Sequence, residues 1–211
     1  FSRLQGQRER LRRAYLQSTA FICLIVFPIH VLLIGLADPL VPWLFGEQWR
    51  PAVPAFQFFA AYSFMRALAT LVSPALLAIN KAPAALAFNL FRLALTVPAL
   101  LLLGSNGANV TTVALVLLIV WLVQAPFYIS YLYRQIDLSW GDTWLGLRRL
   151  IGASALMAIT LAASRSGADL LHWPLWSGVL GGGLASTLIF AAVTRSSLQE
   201  AAAFVQRSLQ R

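Results

Sequence analysis

The chain has 211 residues, of which 59% are hydrophobic and only 11% charged, and it carries a formal net charge of +9. A soluble domain carries about 25% charged residues, so there is too little polar surface here to cover a water-soluble globule, and the mean hydropathy of +0.74 agrees. Cys23 stands alone in an apolar run, which excludes a disulfide framework and fits a small packing residue.

The chain opens on a basic segment, 1–13, with Arg3, Arg8, Arg10, Arg12 and Arg13. Residues 14–37 then form the first of six expected spans, an apolar run containing Pro28 and His30. This run is too long for a secretory leader and has no cleavage site, so it reads as a span. A short segment with Asp38, Glu47 and Arg50 leads to the second span, 52–79, which holds Ser63, Arg66 and Pro74. After the turn at Asn80-Lys81 comes the third, 82–103, with Asn89, Arg92 and Pro98, and then the fourth, 110–133, with Gln124 and Pro126. Residues 134–149, "RQIDLSWGDTWLGLRR", mix Trp, Leu and basic side chains and are expected along the cytoplasmic interface. The fifth span, 150–164, is short: at 1.5 Å per residue it reaches about 22 Å against roughly 30 Å of hydrocarbon. Arg148, Arg149 and Arg165 would snorkel to extend it. The sixth, 175–194, contains the Gly178–Gly182 pair, a spacing that lets helices approach closely. The tail 195–211 reads as an amphipathic helix with capping-box spacing at Ser197 and Glu200.

The fold class is therefore an all-α integral membrane protein of six transmembrane helices, because lipid offers backbone groups no partners and no strand-like alternation is present. The first four spans each hold a Pro well inside (Pro28, Pro74, Pro98 and Pro126) and at least one interior polar side chain, whereas the last two hold small residues instead. This divides the chain into a basic connector (1–13), a four-helix bundle (14–133), an interfacial segment (134–149), an accessory two-helix hairpin (150–194) and a tail (195–211). Loop charge orients it. One side holds Arg3, Arg8, Arg10, Arg12, Arg13, Lys81, Arg134, Arg148, Arg149, Arg195, Arg207 and Arg211, and the other only Arg50 and Arg165. The bias places both termini in the cytoplasm. It also accounts for the basic opening segment without nucleic acid, since a DNA- or RNA-binding arm needs no matching Arg in the other cytoplasmic loops. Trp43, Trp49, Trp140, Trp144, Trp173 and Trp176 fall at span ends, as interfacial Trp does, and Trp121 alone falls mid-span.

Arg66 and Arg92 are the sharpest chemical signal. A mid-membrane Arg costs about 2.5–3.5 kcal/mol on insertion scales. All seven acids (Glu9, Asp38, Glu47, Asp137, Asp142, Asp169 and Glu200) fall in loops or at span ends, so neither Arg has an acid within a span. Two readings follow: both snorkel or bond helix-end carbonyls, or they face a wet cavity that takes an anion, for which phosphate matches the planar guanidinium fork. Asn89 and Gln124 either line that cavity or link helices. His30 either packs by a hydrogen bond or titrates during a transport cycle. No metal-ligand cluster, nucleophile elbow or phosphate-binding loop motif is present, so the chain reads as neither an enzyme nor a cofactor protein.

The segment "LADPLVPWLFGEQWRPAVPAFQFFA" resembles the polysaccharide flippases of the multidrug/oligosaccharidyl-lipid/polysaccharide (MOP) superfamily, of the Wzx or lipopolysaccharide-biosynthesis type. The resemblance rests on Ala37, Pro39, Leu40, Val41, Leu44, Phe45, Gly46, Trp49 and Ala52. "MRALATLVSPALLAINKAPAALAFNLFRLAL" is similar to the family stretch that ends in a small-residue, basic turn, with Asn80-Lys81 where Gly-Arg is common, and "GSNGANVTTVAL" is similar to the start of its next span. The resemblance implies the C-terminal half of a two-lobe transporter in the bacterial cytoplasmic (inner) membrane, with an N-terminal lobe preceding it. It also implies alternating access, with a lipid-linked pyrophosphate oligosaccharide or polysaccharide precursor as substrate. Arg66, Arg92, Asn89 and Gln124 would then meet the substrate, and His30 would couple protons. Two alternatives stay open: a drug/cation antiporter of the same superfamily, which calls for intramembrane carboxylates, and a membrane polysaccharide polymerase or ligase, which calls for a large external loop.

Overall fold

A computed structural model describes residues 2–170 and 175–195, and the described residues contain helices and no strands. The elements are α1 (Ser2–Gly35), α2 (Ala37–Phe45), a 3-10 turn (Glu47–Ala52), α3 (Val53–Leu68), α4 (Val72–Ala78), α5 (Ala82–Ser105), α6 (Val110–Gln135), α7 (Trp140–Leu170) and α8 (Leu175–Val193). Among the described residues, five stretches are long and apolar enough to cross a membrane: Glu9–Gly35, Glu47–Ala78, Ala82–Ser105, Val110–Gln135 and Trp140–Ser164. A shorter apolar helix runs over Gly181–Val193. Each expected span thus has a helical counterpart.

Three boundaries differ from those read in the sequence, each for a local reason. The basic opening segment continues into the first span as one helix, since nothing between them breaks the backbone ladder. The second span is interrupted at Ala69–Leu71. Pro74 has no N–H to give the carbonyl four residues back and its ring clashes there, so α3 stops and α4 restarts beyond the break. The fifth span is not short. Ser139 and Asp142 form a reciprocal cap: the Asp142 N–H donates to Ser139 Oγ at 3.0 Å, while the Ser139 N–H and Oγ–H donate to Asp142 Oδ2 at 3.1 and 2.8 Å. That cap starts α7 at Trp140, so most of the expected interfacial segment belongs to the helix that carries the span.

Three helix ends share one device. Beyond α4, α5 and α6 the chain turns through Asn80 (φ 58°), Gly107 (φ 65°) and Asp137 (φ 52°). The next N–H reaches back to a carbonyl inside the helix: Lys81 to Leu76 at 2.9 Å, Ala108 to Leu103 at 3.0 Å and Leu138 to Tyr133 at 2.9 Å. This left-handed cap satisfies orphaned carbonyls; glycine adopts it freely, and Asn and Asp tolerate it through their short polar side chains.

The chain divides into two compact units, Phe1–Ala20 with Pro51–Gly146, and Phe21–Arg50 with Leu147–Arg211. The dividing lines fall inside α1, inside the 3-10 turn and inside α7. In the first unit α3 packs on α6, and α4 and α5 pack on each other and on α6. Its core joins Tyr15, Val72, Leu76, Trp121, Tyr128, Leu132, Tyr133 and Ile136, with Leu11 and Leu16 against it. The basic segment is therefore anchored: Tyr15 meets the Tyr133 ring edge-on at 6.0 Å, and Arg12 Nη2 donates to Asp142 Oδ2 at 2.8 Å. In the second unit two helix glycines, one of them at a helix end, sit closely against side chains of a neighbouring helix. A Cβ built on Gly182 would fall 2.0 Å from Ser164 Oγ, and one on Gly35 would fall 2.4 Å from Leu161 Cδ2. Without a hydrophobic drive between helices in lipid, such contact is what dispersion needs. Gly182 behaves as the Gly-x-x-x-Gly spacing predicts; the side-chain surroundings of position 178 and the tail beyond residue 195 lie outside the described residues.

Candidate functional site: an arginine on an indole between two membrane helices

The site is built from α5 and α6. Arg92 lies about 15 Å along α5 from its first residue, in a helix about 36 Å long, so its depth suits the middle of a bilayer. Asn89, one turn earlier, is fixed by its own Nδ2–H donating to Ala85 O at 2.9 Å. Its Oδ1 then accepts from Arg92 Nη2 at 3.0 Å. On the other side, Arg92 Cζ sits 5.9 Å from the centre of the Trp121 ring on α6. That is within cation–π range, an attraction that strengthens out of water.

Gln124, three residues after Trp121 and hence one turn along the same helix, joins the two helices. Its Nε2–H donates to Phe88 O on α5 at 2.7 Å. Phe88 in turn packs its ring on Tyr128 at 4.9 Å and on Tyr131 at 5.6 Å. Both Trp121 and Gln124 are 4% exposed. Yet Trp121 Nε1 and Gln124 Oε1 are buried polar atoms without a hydrogen-bond partner among the described residues. Such groups carry a penalty of about 1–3 kcal/mol each when left unmade. One is a donor, the other an acceptor, on successive turns of one helix.

Arg92, Asn89 and Gln124, picked out separately in the sequence, are therefore brought into one group. Trp121 is the member that sequence reading missed: as the only mid-span Trp it was visible, but nothing linked it to Arg92. Arg66 is exposed in the last turn of α3, with its Cζ 5.9 Å from the Tyr62 ring. Helix-end carbonyls and the negative end of the dipole favour a cation there, and the α3–α4 break is what creates that end. Among the described residues no hydrogen bond or ring contact joins Arg66 to the Arg92 group. Among the described residues neither arginine has an acidic partner; the ion pairs formed use Arg12, Arg13 and Arg50 instead. His30 belongs to the other compact unit, where its Nδ1–H donates to Val26 O at 2.9 Å on its own helix. Among the described residues no group of His, Cys, Asp and Glu could hold a metal.

The span-end Trp residues that are described, Trp43, Trp49, Trp140 and Trp144, are all exposed, while Trp121 is buried. Among the described residues this contrast separates the exposed Trp side chains near helix ends from the one buried indole.

A family described as polysaccharide biosynthesis protein matches residues 1–54. The lipopolysaccharide biosynthesis protein WzxC of Escherichia coli (strain K12) is 27% identical over 167 residues, covering 74% of this chain and 33% of WzxC. The teichuronic acid biosynthesis protein TuaB of Bacillus subtilis (strain 168) is 28% identical over 68 residues, covering 32% of this chain and 14% of TuaB. The chain thus spans about a third of the length of the first of these relatives and less of the second. No solved structure matches it. Together with the apolar helices, these matches support a multi-pass membrane protein related to polysaccharide biosynthesis and bear out the resemblance to Wzx-type proteins.

Proposed function

We propose that this chain, a Wzx-like membrane protein of polysaccharide biosynthesis, is one lobe of a flippase that moves a lipid-linked oligosaccharide or polysaccharide precursor across the bacterial cytoplasmic membrane by alternating access. The partner lobe would be an N-terminal segment of the same protein, which the 33% coverage of WzxC leaves room for. In this reading the chain performs no bond-making chemistry. The substrate's pyrophosphate is the anion that must cross the hydrocarbon slab, and its sugars must be hydrogen-bonded on the way.

The observation that carries this reading is Arg92. A guanidinium at mid-helix with no acidic partner among the described residues is retained at an insertion penalty. It is also held in place by Asn89 and the Trp121 ring instead of being free to reach an interface. One of its five N–H donors is used by Asn89, and the remainder match phosphate oxygens. Arg66 supplies a second cation, and Gln124 Oε1, buried in this conformation, would become an acceptor for a sugar hydroxyl when alternating access opens the α5–α6 site. His30 is the candidate for proton coupling.

The test is surface-polysaccharide output from cells carrying Arg92→Ala or Arg66→Ala in the full-length protein, with membrane protein level measured alongside. A charged hydrogen bond is worth about 1.5–3 kcal/mol, so Arg92→Ala should lower transport roughly ten- to a hundredfold at unchanged protein level. Wild-type output from both variants would remove the arginines from the mechanism.

A further inference from the structure

We propose that Trp121 is a positioning residue for transport: it holds Arg92 in the orientation that receives the substrate's phosphate. The inference rests on the reading of Arg92 above and goes beyond it by assigning a role to a residue that touches no substrate.

Trp121 is an odd residue for its place. It lies about 16 Å along α6 from Val110, far from either helix end, whereas the other described Trp side chains are exposed near helix ends. A buried indole normally finds a partner for its N–H, and this one has none among the described residues. An aliphatic side chain would fill the same space without stranding a donor. Hydrogen bonding therefore does not explain the indole, and packing alone explains it poorly. Its face does: the Arg92 guanidinium sits 5.9 Å from the ring centre. Trp gives the strongest cation–π attraction of the aromatic residues, and the attraction grows when both groups are out of water.

The consequence is orientation. A free arginine in mid-membrane swings its long side chain toward the nearest aqueous boundary. Arg92 is instead confined between Asn89 on its own helix and the ring on the neighbouring one. Ordering the side chain before the anion arrives spares the rotamer entropy that binding would otherwise cost. Because Asn89 and Trp121 sit on different helices, the guanidinium is also tied to the α5–α6 spacing, which the Gln124–Phe88 hydrogen bond sets one turn away.

The experiment measures transport of a fluorescent pyrophosphate-linked lipid by the full-length protein in proteoliposomes, for Trp121→Phe, Trp121→Leu, Arg92→Ala and the Trp121→Leu/Arg92→Ala double variant. Loss of the ring should raise the half-saturating lipid concentration by roughly three- to thirtyfold, with a smaller change in maximal rate. Trp121→Phe, which keeps a π face, should fall between wild type and Trp121→Leu. In the Arg92→Ala background, Trp121→Leu should add nothing, because the two side chains then act as one element. Should Trp121→Leu fail to insert, a raised half-saturation of Trp121→Phe relative to wild type carries the test alone, and an unchanged one overturns the inference. Two results overturn the inference while leaving the flippase reading intact: an unchanged half-saturation in both Trp121 variants beside a defective Arg92→Ala, or an equal further loss from Trp121→Leu when Arg92 is already absent. A fully active Arg92→Ala would instead sink the arginine reading itself.

Discussion

Gln124→Leu separates packing from function most cleanly, because the two readings of Gln124 predict opposite pairings of stability and transport. The substitution removes one interhelical hydrogen bond, Gln124 Nε2–H to Phe88 O at 2.7 Å. Such bonds average about 0.6 kcal/mol inside a membrane protein and reach about 1.7. Phe88 O loses little, since a helical carbonyl keeps its backbone partner. The same substitution also deletes Gln124 Oε1, a buried acceptor with no partner among the described residues, and so relieves a penalty of about 1–3 kcal/mol. The side-chain volumes are similar, so no cavity opens. With a bond of average strength the balance runs from about 0.4 to about 2.4 kcal/mol more stable. Thermal unfolding of purified protein in detergent should therefore show an unchanged or raised midpoint. If Gln124 serves the substrate as proposed, transport of a lipid-linked glycan falls in the same variant. A lowered midpoint, with transport falling in proportion, would refute the reasoning: Gln124 would then be a helix linker whose carbonyl is adequately satisfied.

Other outcomes are expected elsewhere. Gly182→Ala places a Cβ 2.0 Å from Ser164 Oγ and 2.8 Å from Ser164 Cβ, so it should cost about 1–3 kcal/mol by overpacking in the same unfolding assay. Adding Ser164→Gly, which removes both clashing atoms, should restore the midpoint. Asn80 holds a left-handed backbone at φ 58°. Asn80→Gly should be tolerated, whereas Asn80→Val should lose about 1–2 kcal/mol. Reporter fusions after Asn80 and Arg195 should read cytoplasm and those after Gly104 the outside, and the reverse pattern would overturn the charge-based orientation.

The amino-acid sequence by itself determined the helical membrane class, because hydrophobicity sustained over about 20 residues and the absence of any partner for bare backbone in lipid leave one solution. It also marked Arg92, Asn89 and Gln124, since a charge or amide inside an apolar run stands out whatever the fold. Local chemistry was partly legible: Asn80-Lys81 read as a turn, and its left-handed Asn bears that out, but the Ser139–Asp142 cap that lengthens α7 was passed over inside a Trp-rich stretch. Only the tertiary structure decided which side chains meet. Gln124 and Phe88 are 36 residues apart in the chain, and the pairing of Arg92 with Trp121 depends on the same α5–α6 register. The anchoring of the basic segment through Tyr15 and Arg12 is likewise a product of packing, whereas the break in the second span, which leaves Arg66 at a helix end, follows locally from Pro74. Hydropathy records how deep a residue sits, whereas the helix face it occupies and the neighbour it finds depend on how ridges of one helix settle into another, and no one-dimensional pattern carries that choice.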